Sequence, residues 1–288
     1  MVYSMTGFAA QSRNLGSVSL HLELRSVNSR YLDTNFRIPE ELRFGEPMLR
    51  DLIGASLSRG KVECRGNLQA AAQAPADLAV NPEMLARLAS VQAQVRAALP
   101  DAAPLSCGEV LRWPGVLAEE TLSQEKLAEA LAELAKVVLS ELRESRQREG
   151  AKLAEALRER VTAMRERVAA AAPLVPASVE EYRRRMTQRL REAVETLDED
   201  RIRTEVTVFA QKVDVAEELT RLTTHLDEVE RVLKAGGSVG KRLDFLMQEL
   251  NREANTLASK SVSTELTAIS VDLKVYIEQM REQVQNLE

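Results

Sequence analysis

Three stretches near the end of the chain carry acidic side chains and one imidazole at helical spacing. In the first, Asp214, Glu218, Arg221 and His225 line up beside an apolar stripe of Val215, Leu219, Leu222, Leu226, Val229 and Leu233. In the second, Glu249, Glu253 and Lys260 share a shoulder of the stripe Leu243, Leu246, Met247, Leu250, Ala254 and Leu257. In the third, Lys274, Glu278, Arg281 and Gln285 fall together beside Leu266, Ile269, Leu273, Ile277, Met280 and Val284. If the stripes pack together, the shoulders border one seam. Carboxylates crowded there repel one another, and a divalent cation relieves that repulsion. The chain has only His21 and His225, and its two cysteines, Cys64 and Cys107, share no ligand spacing. That supply rules out a His-rich zinc or copper site. It suits an oxygen-rich Mg²⁺ or Mn²⁺ site, with one imidazole favouring Mn²⁺. The alternative is that these shoulders are solvated ion pairs worth a few tenths of a kcal/mol each.

The elements that must hold these residues are helices. Gly236-Gly237 stops the first, and the patterns predict two more over about 239–259 and 263–287. Upstream, 123–171 contains no proline and a single glycine, Gly150. Read as one helix it would be roughly 70 Å long, bent or split at Gly150. Pro173 to Pro176 is expected to turn the chain, with helix from 178 to about 235 interrupted near Asp198. The first seventy residues read differently. Val18, Leu20, Leu22 and Leu24, with Ser26 continuing the register, alternate with Ser19, His21, Glu23 and Arg25, the period of a half-buried strand. Strands over 2–12 and 31–38, a helix over 40–58 and a strand over 61–70 complete a β-β-β-α-β unit with a mainly antiparallel sheet. Asn81-Pro82 caps and starts a further helix. The expected fold is α+β: an N-terminal domain (1–118), a long helical arm or clamp (119–200) of antiparallel helices, and a C-terminal helical domain (201–288).

Composition sets outer bounds. The 288 residues carry a net charge of -5, 44% hydrophobic and 3% aromatic side chains, enough for a sizeable core. No window is long and apolar enough to span a membrane, and no signal peptide is visible at the start. Two unpaired cysteines fit a reducing, cytoplasmic setting. An acidic balance argues against a general nucleic-acid coat, but a nuclease can hide a basic track beside acidic metal ligands.

Several blocks resemble the YicC-like endoribonuclease family. They are Gly236-Gly237-Ser238-Val239-Gly240-Lys241-Arg242-Leu243-Asp244-Phe245-Leu246-Met247-Gln248-Glu249-Leu250-Asn251-Arg252-Glu253-Ala254-Asn255-Thr256-Leu257-Ala258-Ser259-Lys260-Ser261, the ending Leu273-Lys274 through Ile277-Glu278-Gln279-Met280-Arg281-Glu282-Gln283-Val284-Gln285-Asn286-Leu287-Glu288, and the opening Ser4-Met5-Thr6-Gly7-Phe8. Glu23-Leu24-Arg25-Ser26-Val27-Asn28 and Ser58-Arg59-Gly60-Lys61-Val62-Glu63 are similar to the same family. The resemblance fades between about 70 and 175. It implies a bacterial, cytoplasmic endoribonuclease that needs a divalent metal, Mn²⁺ ahead of Mg²⁺, and assembles as a ring-like homohexamer. It supplies Glu249, Glu253, Glu278 and Gln285 as site candidates, with His225 and Glu218 from the preceding helix.

Together these readings make Glu218, Glu249, Glu253 and Glu278 the expected metal ligands and His225, Glu249, Glu253 and Glu278 the catalytic set. The expected chemistry is metal-assisted hydrolysis of an RNA phosphodiester. Arg252, Lys260 and Lys274 would steady the charge that builds on phosphorus. In a metal-independent variant His225 deprotonates the RNA 2′-hydroxyl. Arg25, Arg30, Arg37, Arg59, Lys61 and Arg65 either guard strand edges or hold phosphates. Tyr3, Phe8, Tyr31 and Phe36 either stack bases or fill core. Two non-catalytic readings compete: a helical scaffold for a protein partner, and an RNA-binding adaptor.

Overall fold

In the computed structural model of the chain, residues 1–16, 18–70, 80–117, 123–193 and 199–288 are described. Strands β1 (Gly7–Asn14), β2 (Val18–Val27), β3 (Leu32–Arg37) and β4 (Gly60–Ala70) form one sheet in the order β1-β2-β4-β3. The period-two pattern of β2 holds: Leu20, Leu22, Leu24 and Ser26 are buried, and Arg25 on the other face is exposed. β1–β2 and β2–β4 are antiparallel, whereas β3 joins the edge parallel to β4. The connection between β3 and β4 is a 3₁₀ turn, Glu40–Gly45, and helix α1 (Glu46–Ser56), the kind of crossover a parallel pair requires. The expected first strand begins later than 2–12. Val2 instead enters the core of the helical part, and Ser4 donates its N–H to Arg146 O.

Two helices follow, α2 (Pro82–Ala98) and α3 (Cys107–Leu111). Asn81 caps α2 as its type predicts, accepting from the N–H groups of Glu83 and Met84 at 3.0 and 3.1 Å. Then α4 (Gln124–Ala171) runs 48 residues without a break. It is not an arm. Its first half buries Leu127, Leu131, Val138 and Leu142 against β1, β2 and α1. Its second half buries Leu157, Val161, Met164 and Val168 in the helical core. One helix thus serves both cores, because its apolar stripe persists along its whole length. Thr6–Glu149 (2.6 Å), Gln11–Glu141 (2.7 Å) and Arg13–Glu133 fix β1 along it. Gly150 does not bend α4. It lets the N-terminal segment cross, since a Cβ there would overlap the Val2 carbonyl oxygen.

Helices α5 (Leu174–Ala193) and α6 (Glu199–Val213) pack on each other, with Tyr182 stacked on Phe209 at 3.8 Å. The expected turn falls at Ala172-Pro173, between α4 and α5, whereas Pro176 lies in the first turn of α5, where a missing N–H costs nothing. The chain then breaks at Asp214; α7 (Ala216–Ala235) and α9 (Thr264–Val284) pack on the second half of α4, and α8 (Gly240–Lys260) packs on both of them. Among the described residues no helix is long and apolar enough to cross a membrane.

Candidate metal centre between two C-terminal helices

The turn between α7 and α8 sets the register of everything beyond it. Gly236 and Gly237 both take positive φ, +70° and +85°, a conformation nearly closed to other residues. The reversal lays α8 antiparallel on α7. Arg242 meets Glu228 at 2.5 Å near the turn, and Lys260 meets Glu218 at 2.8 Å at the far end. Residues whose numbers sum to between 470 and 478 therefore face each other, and His225 faces Glu249 and Glu253.

The expected convergence is observed for these three. One ligand atom from each of His225, Glu249 and Glu253 lies within 4.8 Å of the others. Glu249 and Glu253, four apart, stand one above the other on the helix. Glu253 is 3% exposed, while His225 and Glu249 are half-buried. A buried carboxylate needs a counter-charge. The one cation within ion-pair distance of Glu253 among the described residues, Arg221, is 3.6 Å away and holds Glu217 more closely. Two carboxylates, one imidazole and a weak guanidinium contact make a donor set that fits a hard divalent cation.

Two expected ligands stand elsewhere. Glu218 is seven residues before His225, about 10 Å along the helix, too far to share one ion. It is buried and gives one oxygen to Lys260, while its other oxygen has no hydrogen-bond partner. Glu278 is exposed on α9, 3.7 Å from Arg281, and is outside the cluster. The cluster faces across α7 and α8, and α9 packs on α8 and α4 instead. Gln285, another expected site residue, is exposed beyond α9, its backbone oxygen accepting from Asn28.

The basic candidates divide into two groups. Arg252 is exposed on α8 beside Glu253, whereas Lys260 is occupied by Glu218 and by the Asp214 carbonyl at 2.9 Å. Lys274 is exposed on α9. Arg25, Arg30 and Lys61 are exposed on the sheet unit, and Arg59 is half-buried with its Nε unpartnered. Arg37 and Arg65 both pair with Glu63, at 2.8 and 3.1 Å. Of the aromatics, Phe8 and Tyr31 are exposed, with Arg30 over the Tyr31 ring, and Phe36 packs against the sheet core.

Sequence reasoning missed Arg146. It is 1% exposed, with Nε donating to Ser4 O and a terminal nitrogen to Glu288, each at 2.5 Å. Glu288 also accepts from Ser58. In a helix dense with Arg and Glu, the one available signal was position: Arg146 continues the buried line of Ala135, Leu139 and Leu142, with Gly150 next along it.

A sheet unit and a helical bundle sharing one long helix, with an acid-and-imidazole cluster between two bundle helices, define an α+β protein with a candidate divalent-cation centre. Two family models match the chain: Endoribonuclease YicC-like, N-terminal region, over residues 2–155, and Endoribonuclease YicC-like, C-terminal, over residues 171–288. The chain belongs to the YicC-like endoribonuclease family. It is 40% identical over 288 residues to the probable endoribonuclease YicC of Haemophilus influenzae, with both chains covered in full. It is 28% identical over 293 residues to the protein of the same description from Clostridioides difficile, again over the full length of both.

Proposed function

We propose that this chain is an endoribonuclease that hydrolyses RNA phosphodiester bonds with a divalent metal ion, Mn²⁺ in preference to Mg²⁺. The observation that carries the reading is the meeting of His225, Glu249 and the buried Glu253 between two helices. Family membership supplies the reaction class, since both relatives are described as probable endoribonucleases. His225, Glu249 and Glu253 would hold the ion. When bound, it supplies Lewis acidity toward a phosphoryl oxygen and makes a bound water more acidic. Glu253, walled in by the bundle, keeps its place without solvent competition. Arg252, exposed one residue before it, and Arg221, half-exposed and 3.6 Å from it, would attract the scissile phosphate. Arg25, Arg30, Arg59 and Lys61 on the sheet unit and Lys274 on α9 extend the reading to phosphate contacts away from the cut. Lys260 serves by holding Glu218.

The test uses purified protein, a labelled RNA, and Mn²⁺ or a chelator. Cleavage is expected with metal and not with chelator. Glu253→Gln and Glu249→Gln should abolish it while leaving the circular dichroism spectrum and RNA binding intact, and Glu278→Gln should cut normally. Products should end in a 3′-hydroxyl. Cyclic phosphate ends formed in metal-free buffer would show instead that the RNA 2′-hydroxyl attacks, with His225 as its base. Equal cleavage by Glu253→Gln would remove the cluster from the reaction altogether. The assembly that goes with this reading is a cytoplasmic homohexamer, for which light scattering should give six times the 32.0 kDa chain.

A further inference from the structure

Two adjoining clefts lie between α1 and α4, away from the His225 cluster. One is about 370 Å³ and the other about 350 Å³, and Tyr3, Ser56 and Arg143 line both. Each falls in the roughly 300–1,000 Å³ range of small-ligand sites, room for about one nucleotide. On α4, Lys136, Ser140, Arg143 and Gln147 follow at helical spacing along one face, about 16 Å from first to last. Ser58 and Ser238 close the far end.

The charges in the cleft do not cancel. Glu288 is neutralised by Arg146 at 2.5 Å, and Glu144 leans to Arg148 at 3.8 Å. Neither Lys136 nor Arg143 has a carboxylate within ion-pair distance among the described residues, and both are exposed. Burial lowers the pKa of the Arg146 guanidinium, Glu288 opposes that, and the neighbouring Arg143 charge adds a smaller lowering. Arg146 answers Glu288, so Lys136 and Arg143 are the charges that remain to meet an incoming anion. Tyr3 is half-buried and lines both clefts, and its backbone carbonyl accepts from the Glu288 N–H at 3.0 Å, which holds its main chain at their shared wall. Cations outside any ion pair along a groove with an aromatic side chain in its wall are the parts that bind a single nucleic-acid strand: charges track the phosphates and the ring stacks a base. A duplex keeps its bases paired and would leave Tyr3 unused.

We infer that this cleft binds a segment of single-stranded RNA, with phosphates on Lys136 and Arg143 and a base on Tyr3. The inference rests on RNA being the substrate. It adds a second contact region, whose Ser238 end adjoins the start of α8, about 14 Å along the helix axis from Glu249.

Binding of a short fluorescent single-stranded RNA to the full-length Glu253→Gln protein, measured by anisotropy across salt concentrations, tests it. Lys136→Ala with Arg143→Ala should weaken binding roughly tenfold at ~0.15 M salt and reduce the salt slope by about 1.4, the share of two phosphate contacts on a single strand. Tyr3→Leu should weaken it at least about fivefold with no change of slope. Ser140→Glu, an exposed position that can accept the new charge without refolding, should weaken it as well. If the parent binds RNA and all these variants bind equally with the same slope, the cleft is not a strand site and the nuclease reading stands. If the parent binds no RNA at all, the nuclease reading fails and the cleft proposal fails with it.

Discussion

Arg146→Met removes one guanidinium from the junction of the two cores while keeping its apolar stem. The side chain is 2% exposed, and both of its recorded partners are polar groups of the chain's ends, Ser4 O and Glu288. Breaking a buried ion pair from one side costs about 3–5 kcal/mol, because the other charge stays behind. Glu288 is 15% exposed and Ser58 still donates to it, so the lower end of the range applies. The orphaned Ser4 carbonyl contributes within that loss. The expected loss is about 3 kcal/mol, or roughly 6 °C in Tm for a chain slightly above the size range where 1 kcal/mol is worth ~2–4 °C. Urea unfolding followed by circular dichroism measures it. Glu288→Gln should cost less, since a neutral amide can still accept from Arg146. In the double variant the pair term cancels, so its loss should fall short of the two single losses combined by at least about 1 kcal/mol. A single Arg146→Met loss below about 1 kcal/mol, or strict additivity, would refute the claim that this pair fastens the junction.

Other expectations concern charge, thiols and metal. Glu228 accepts from Arg231 and Arg242, and these hydrogen bonds, with the two positive charges, hold its carboxyl down at about 2. A carboxyl depressed in the folded state stabilises it above the ordinary carboxylate range, and that contribution fades as pH falls from about 4.5 through 2. The stability gap between wild type and Glu228→Gln should therefore shrink over that window, as acid unfolding profiles would show; a gap widening toward acid contradicts the sign. Burial pushes the Cys64 thiol up to about 12, whereas Cys107 is exposed. A maleimide should label the native chain once, on Cys107, as intact mass shows; double labelling without unfolding would contradict the burial of Cys64. Mn²⁺ at one hundred times its Kd should stabilise the wild type by about 2.7 kcal/mol and leave His225→Ala and Glu253→Gln unmoved. Equal thermal shifts in all three would place the ion elsewhere.

What sequence could and could not reveal follows from the physics of each pattern. Alternation in Val18 to Ser26 reports which face is buried, so the strand and its inner residues were legible. It carries no information about which strand lies alongside, so the parallel β3–β4 pairing was not. Glu249 and Glu253 were legible because i, i+4 spacing alone puts them on one line. His225 joins them because a four-residue reversal with two glycines leaves α8 little choice but to double back on α7. A helical wheel has two shoulders, and it does not say which neighbour each will meet. That is why Glu278 was grouped with residues it does not approach. Along the axis the wheel is blind too: it aligned Glu218 with His225 without the roughly 10 Å between them. A long helix over α4 was legible from its lack of proline, but not that its two halves are bound for different cores.

The single long helix has a consequence for how the chain can be divided. Residues 2–155 and 171–288 read as separate family regions, yet the segment from Ala154 to Val168 fills the core made by α7, α8 and α9. A cut at that boundary would leave the C-terminal fragment with an open apolar trough and the N-terminal one with a naked greasy stalk. Neither piece should stay in solution by itself, and the two should recover only when made together and allowed to reassociate.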